Sequence, residues 1–157
     1  EDTFPPQEWK DQNSKKVVSP LSNIHIHGES HFNPEEVNRI RQTIIQSKPD
    51  IIIHELDDDM DLYKKNLPGT RLYQLERGLD QNIYKYFPND YASQFKHRED
   101  NMIRNIENIR QFHPNANIHI VVGDTHLRTI PTKELGDSSP FYNYNYNIYR
   151  SRTPEIK

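Results

Sequence analysis

The sequence predicts an α/β fold: a small, mainly parallel sheet with flanking helices, in a single domain. Three observations carry that expectation. Asn23 to His27 reads N-I-H-I-H, with the isoleucines facing one way and the histidines the other, which is the period of a strand. A capped amphipathic helix then leads into Ile51-Ile52-Ile53, a continuous β-branched run of the kind buried on both faces of a parallel sheet. After a second long helix, N-I-H-I-V-V from Asn117 to Val122 gives another strand.

Taken in order, residues 1–20 are polar, contain Pro5, Pro6 and Pro20, and read as an irregular arm from which Trp9 is expected to pack on the domain. The α/β domain spans 21–135. Asn33-Pro34-Glu35-Glu36 is a helix start, with a capping Asn, Pro at the first helical position and acids at the positive helix end. Val37, Ile40, Ile44 and Ile45 form its apolar stripe, and Lys48-Pro49-Asp50 ends it. Strand, helix and strand within this length predict a right-handed βαβ unit.

Asp57 to Asn66 is acidic and reads as a solvated loop, and a short helix is expected around Leu72 and Leu75. A longer helix is expected from about Asn89 to Phe112, with Phe95, Met102, Ile106 and Ile109 as its stripe and Pro114 beyond its end. Residues 136–157 form an extended segment in which Tyr and Asn alternate, either a strand with one aromatic face or a low-complexity tail.

Composition narrows the function classes. At 157 residues there is little room for a second core. Only 32% of residues are hydrophobic and the mean hydropathy is -1.01, but the apolar residues gather into dense runs. The net charge of -3 and the scattered Lys and Arg residues argue against a nucleic-acid surface. No apolar run approaches the roughly 18–20 residues of a membrane span. With no cysteine, thiolate and disulfide chemistry are excluded. The chain begins at Glu1, as an exported form after signal removal or a trimmed fragment would, and its compartment stays open.

The chemistry is expected at two matched segments. N-I-H-I-H-G-E-S-H starts at Asn23 and N-I-H-I-V-V-G-D-T-H at Asn117, which pairs Gly28 with Gly123, Glu29 with Asp124, Ser30 with Thr125 and His31 with His126. Each is a strand, a glycine that permits a tight turn, an acid, a hydroxyl and a histidine. Ligands collect at the carboxyl ends of parallel strands, so two such turns on neighbouring strands aim His31 and His126 into one crevice. Glu55 adds a carboxylate at the end of the intervening strand. Arg98 falls in the core-facing sector of its helix, where a guanidinium needs either a structural ion pair, as with Glu55, or a polar cavity. His27 and His54 adjoin motif residues as candidate partners. His25 and His119 read as half-buried sheet residues, and His97 and His113 as solvated helix residues. Ser30 lacks a nucleophile-elbow setting.

The series Gly28-Glu29-Ser30-His31, Ile53-His54-Glu55-Leu56, Arg98-Glu99-Asp100-Asn101-Met102 and Val122-Gly123-Asp124-Thr125-His126 resembles the ordered motifs of the erythromycin-esterase/ChaN/TraB/Tiki-like superfamily, over Asn23 to about Ile130. The resemblance implies a polar site formed by both Gly-x-x-His histidines, the strand-end Glu and the helix Arg. It spans metal-dependent proteases, esterases and haem-binding lipoproteins, so it implies a site more than a reaction. The polar tail after Pro131 departs from it, replacing a longer helical region.

Two functions follow as expectations. One is a hydrolase of ester or peptide bonds acting on a small-molecule or peptide substrate. His31, Glu55 and His126 would hold Zn, Mn, Co or Fe, Glu29 or Asp124 would be the base, and Arg98 would stabilise the oxyanion. A metal-free variant makes His31 the base toward water. The other is a binding module for haem or a metal, or an accessory subunit that meets a protein partner through the Tyr/Asn strand.

Overall fold

The computed structural model describes residues 23–30, 33–56 and 59–150, so the expected arm with Trp9 and the placement of His31 lie outside the described residues. Five parallel strands form one sheet in the order β3-β2-β4-β1-β5: β1 Ile24–Glu29, β2 Ile51–His54, β3 Arg71–Gln74, β4 Ile118–Gly123 and β5 Asn147–Arg150. The α/β expectation holds. The two motif strands, β1 and β4, are direct neighbours, and β4 lies between β1 and β2.

Helices cover both faces. Helix α1 (Pro34–Ser47) begins as its sequence dictates, with the Asn33 side chain accepting from the Glu36 amide and Pro34 at the first position. Its Ile40 and Ile44 pack with Ile52 and Val121 of the sheet, and with Tyr63 and Leu67. On the opposite face Met102, Ile103, Ile106 and Ile109 of the long helix Tyr91–Phe112 cover Ile24, Ile26, Ile51, Ile53, Ile118, Ile120 and Val122. Strand alternation thus feeds two separate apolar layers. Among the described residues no helix is long and apolar enough to cross a membrane.

Two elements differ from the sequence expectation. The acidic stretch holds a helix, α2 (Met60–Asn66), because Tyr63 at its centre and Leu67 just past its end, four residues apart, both bury against the α1 side. Leu72 belongs to strand β3 rather than a helix. Leu72 packs with the α1 layer and its neighbour Tyr73 with the other, which is strand alternation. Leu75, just past β3, made the spacing look helical. A single turn, α3 (Ile83–Tyr86), precedes the long helix, which is α4. Among the described residues, the Tyr/Asn-rich segment forms a strand only at Asn147–Arg150. Ahead of that, Pro140–Asn143 forms a 3-10 turn that buries Phe141.

Candidate functional site

The carboxyl ends of β2 and β4 carry a continuous chain of charges. Glu55 follows β2 directly. Its Oε1 accepts from the Gly123 amide at 2.7 Å, and its Oε2 lies 3.1 Å from Arg98 Nη2 and 3.4 Å from His126 Nε2. His126 reaches back over the sheet on a 3-10 turn, Asp124–Leu127. Its Nδ1 meets Glu99 Oε2 at 2.8 Å, and Arg128 grips both Glu99 oxygens at 2.6 and 3.1 Å. At the other end Arg98 also holds Glu76, at 2.6 and 3.2 Å. Three carboxylates therefore alternate with two guanidinium groups and one imidazole. Phe95 supports them, stacked on His126 at 4.7 Å with Arg98 and Arg128 over its ring.

The electrostatics follow from this order. Burial alone would raise the Glu55 pKa, but the hydrogen bond and charge of His126, the Gly123 amide and Arg98 hold it at about 2. Burial alone would lower the His126 pKa, but Glu55 and Glu99 outweigh it and raise it. Glu55 is thus a fixed anion and His126 is biased toward the imidazolium. Arg98 uses Nε and Nη2 for its carboxylates, and its Nη1 makes no hydrogen bond among the described residues.

The matched motifs are offset by one residue. The register runs Ile24 to Ile118 and Glu29 to Gly123, because β4 carries an extra valine before its glycine. Neither glycine has a positive φ, so they do not serve as left-handed turn positions. Gly28 makes room instead. A Cβ on it would lie 2.5 Å from Asp124 Oδ1, whereas one on Gly123 would sit in ordinary contact, 3.4 Å from Glu55 Oε1.

Of the expected site residues, Glu55, Arg98 and His126 come together. Asp124 is buried beside Gly28 and bound by Arg150 at 2.7 Å, away from that contact set. Glu29 belongs to the opposite sheet face, where it converges with His54 and Asp59. Glu76, Glu99 and Arg128 went unread in the sequence. Glu99 carried a signal: four residues after Phe95 and three before Met102, it lies as close to the centre of the α4 stripe as Arg98 does.

A cation fits the Glu55–His126 contact poorly. Arg98 already places a positive charge on the same Glu55 oxygen, and both His126 nitrogens face carboxylates.

No family model, curated protein or solved structure matches this chain. The superfamily resemblance therefore rests on the quoted motifs alone.

Of two cavities among the described residues, one borders these groups and the other lies across the sheet from them. One of about 450 Å³ is lined by Ser93, Lys96, Glu99, Arg128, Asp137 and Ser139 among others, so the charge chain borders it through Glu99 and Arg128. The other, about 470 Å³, lies on the α1 face over stacked rings of His25, His119, His27 and Tyr149. Within that ladder His27 Nε2 and His119 Nδ1 are 2.9 Å apart, and His25 Nδ1 meets the Tyr149 hydroxyl at 3.1 Å. Burial, with repulsion between neighbouring imidazoles, lowers His27 to about 4 and His119 to about 3. His97 is exposed on α4 and stacks on Phe87.

Proposed function

We propose that the chain is a hydrolase of ester or peptide bonds whose reacting centre is the Glu55–Arg98–His126 cluster. The observation that carries this reading is the convergence on one Glu55 carboxylate of a strand-end amide, a guanidinium and a histidine biased toward protonation. A carboxylate held near 2 is too weak a base to activate water at neutral pH, so Glu55 orients and charges its neighbours. His31 is then the base of the metal-free scheme. It takes the proton as water attacks the carbonyl carbon, and the free Nη1 of Arg98 stabilises the developing oxyanion. His126 donates its proton to the leaving group. The substrate is a small molecule or peptide.

The test is hydrolysis of an ester and peptide panel by the wild-type chain and by His31→Gln, Arg98→Met and His126→Gln. The reading expects kcat to fall at least about 100-fold in each, the usual cost of losing an acid, a base or an oxyanion donor, and activity to survive a chelator. No turnover on any substrate, or full activity in His126→Gln, would overturn it.

A binding module or accessory subunit is favoured by one observation: the carboxylates of this cluster are already paired within the chain. In that reading the histidine-lined cavity takes haem or another ligand, and β5, at one end of the sheet order, offers a protein partner an edge.

A further inference from the structure

The first motif's acid has its own surroundings, on the sheet face away from Glu55. Glu29 ends β1, His54 ends β2 and Asp59 precedes α2, and each offers one ligand atom within 4.8 Å of the others. All three residues are buried. Arg41 binds Asp59 Oδ1, which leaves Oδ2 turned to His54 Nε2 at 3.2 Å, without the geometry of a hydrogen bond.

Among the described residues three buried polar atoms here have no hydrogen-bond partner: Arg41 Nε, His54 Nε2 and the hydroxyl of Tyr63, whose residue is fully buried. The Tyr63 ring packs on His54 with centroids 5.9 Å apart, and its phenol feels the charges of both Asp59 and Glu29. Buried polar atoms of native proteins are almost always satisfied, so the unpartnered His54 Nε2 and Tyr63 hydroxyl beside two carboxylates mark a place built for something more. One nitrogen and two oxygens are the donor mixture of Zn, Mn, Fe or Co sites.

We propose that Glu29, His54 and Asp59 form a divalent-metal site, distinct from the Glu55–His126 cluster, and that loading it changes the tautomer of His54. The Leu56 amide donates to His54 Nδ1 at 2.9 Å. In the metal-free chain the ring proton of neutral His54 is therefore on Nε2, the atom that faces the carboxylates. A metal needs the lone pair of Nε2. The Nε2 proton must leave to solvent and Nδ1 must take one up, so the ring stays neutral overall. Nδ1 is then a donor, and the Leu56 amide loses its acceptor. Arg41 acts as a positioning residue, fixing which Asp59 oxygen faces the metal.

Chelator-treated full-length chain is titrated with Zn²⁺ or Co²⁺ by calorimetry, with ¹⁵N-imidazole correlation spectra recorded alongside. The expected result is one ion per chain, conversion of His54 from the Nε2–H to the Nδ1–H form, and faster hydrogen exchange at the Leu56 amide. His54→Gln and Asp59→Asn should abolish binding at this site. Arg41→Met should weaken it about 10–100-fold, and His126→Gln should leave it unchanged. No saturable binding with the Nε2–H form retained would overturn the proposal and leave water as the occupant. Binding lost in His126→Gln but kept in His54→Gln would overturn it in favour of a metal at Glu55. Because the tautomer is read on the wild-type chain, the test stands even where a variant fails to fold. It is also separate from hydrolysis, since turnover through Glu55 and His126 does not pass through these three residues.

Discussion

His119 and His126 belong to one strand and the turn that follows it, yet they are driven to opposite protonation states. His119 faces the α1 side among other imidazoles, and burial together with the neighbouring His27 and His25 lowers it to about 3. His126 faces the α4 side between Glu55 and Glu99, and the same burial is outweighed. His54 is an intermediate case. It meets Asp59 on one side only, and burial still wins. Desolvation of an imidazolium is a large cost, and in this chain it takes two carboxylates in direct contact to reverse it.

The strongest way to break that contrast is to remove the acid shared by His126 and Arg128. Glu99 is almost fully buried and holds both cations. Glu99→Gln keeps the shape, leaves Arg128 buried without its carboxylate and leaves His126 with Glu55 alone. Unfolding in urea should show a loss of about 3–5 kcal/mol. A loss under about 1 kcal/mol would mean that the charge chain is not a coupled unit.

The next expectation is a pH profile with two limbs of opposite origin. His27 and His119 have folded pKa values below their unfolded value of 6.5, so the unfolded chain binds more protons below that pH. Stability should fall as pH drops from about 6.5 toward 4, by on the order of 3 kcal/mol for His27 alone. His126 is raised, so its contribution is complete below 6.5 and is lost as pH rises through its folded value. Glu55, lowered from 4.5 to about 2, adds to the acid limb only below about pH 4.5. Denaturant midpoints between pH 5 and 6.5 therefore report the ladder together with His54, whose pKa burial also lowers. His119→Gln should flatten that acid limb and His126→Gln the alkaline one. The reverse assignment would refute the sorting by face.

The sequence was readable where one strand or helix settles the matter. The N-I-H-I runs gave the strands, and their shared pattern placed β1 beside β4. Asn33-Pro34 gave the start of α1. The inward sector of Arg98 demands a buried ion pair or a polar cavity, and the ion pair is there with Glu55. Tertiary burial decided the rest. Met60–Asn66 is polar except at Tyr63, whose burial depends on α1 and the sheet. Leu72 and Tyr73 show their alternation only once both faces of β3 are covered. Glu29 and Asp124 occupy equivalent motif positions but serve different faces, because the extra valine in β4 reverses the parity of everything after it. That reversal sends Glu29 to His54 and Asp59 while His126 joins Glu55.

The smallest expected effect tests whether the two faces are independent. Tyr149 closes the ladder from β5. It stacks near His25 and His27, shares a hydrogen bond between its hydroxyl and His25 Nδ1, and is itself about half exposed. Tyr149→Phe keeps the ring and removes one partly solvated hydrogen bond, so stability should fall by only about 0.5–1 kcal/mol. Tyr149→Ala removes the ring as well and admits water to His25 and His27. Their protonated forms then cost less, and the acid limb between pH 6.5 and 5 should become shallower than in wild type. The alkaline limb set by His126 should not move, because the sheet and its two apolar layers separate the sites. A Tyr149→Ala profile with both limbs displaced would show the faces to be coupled through β4, and the opposed histidines would then be two ends of one titrating system.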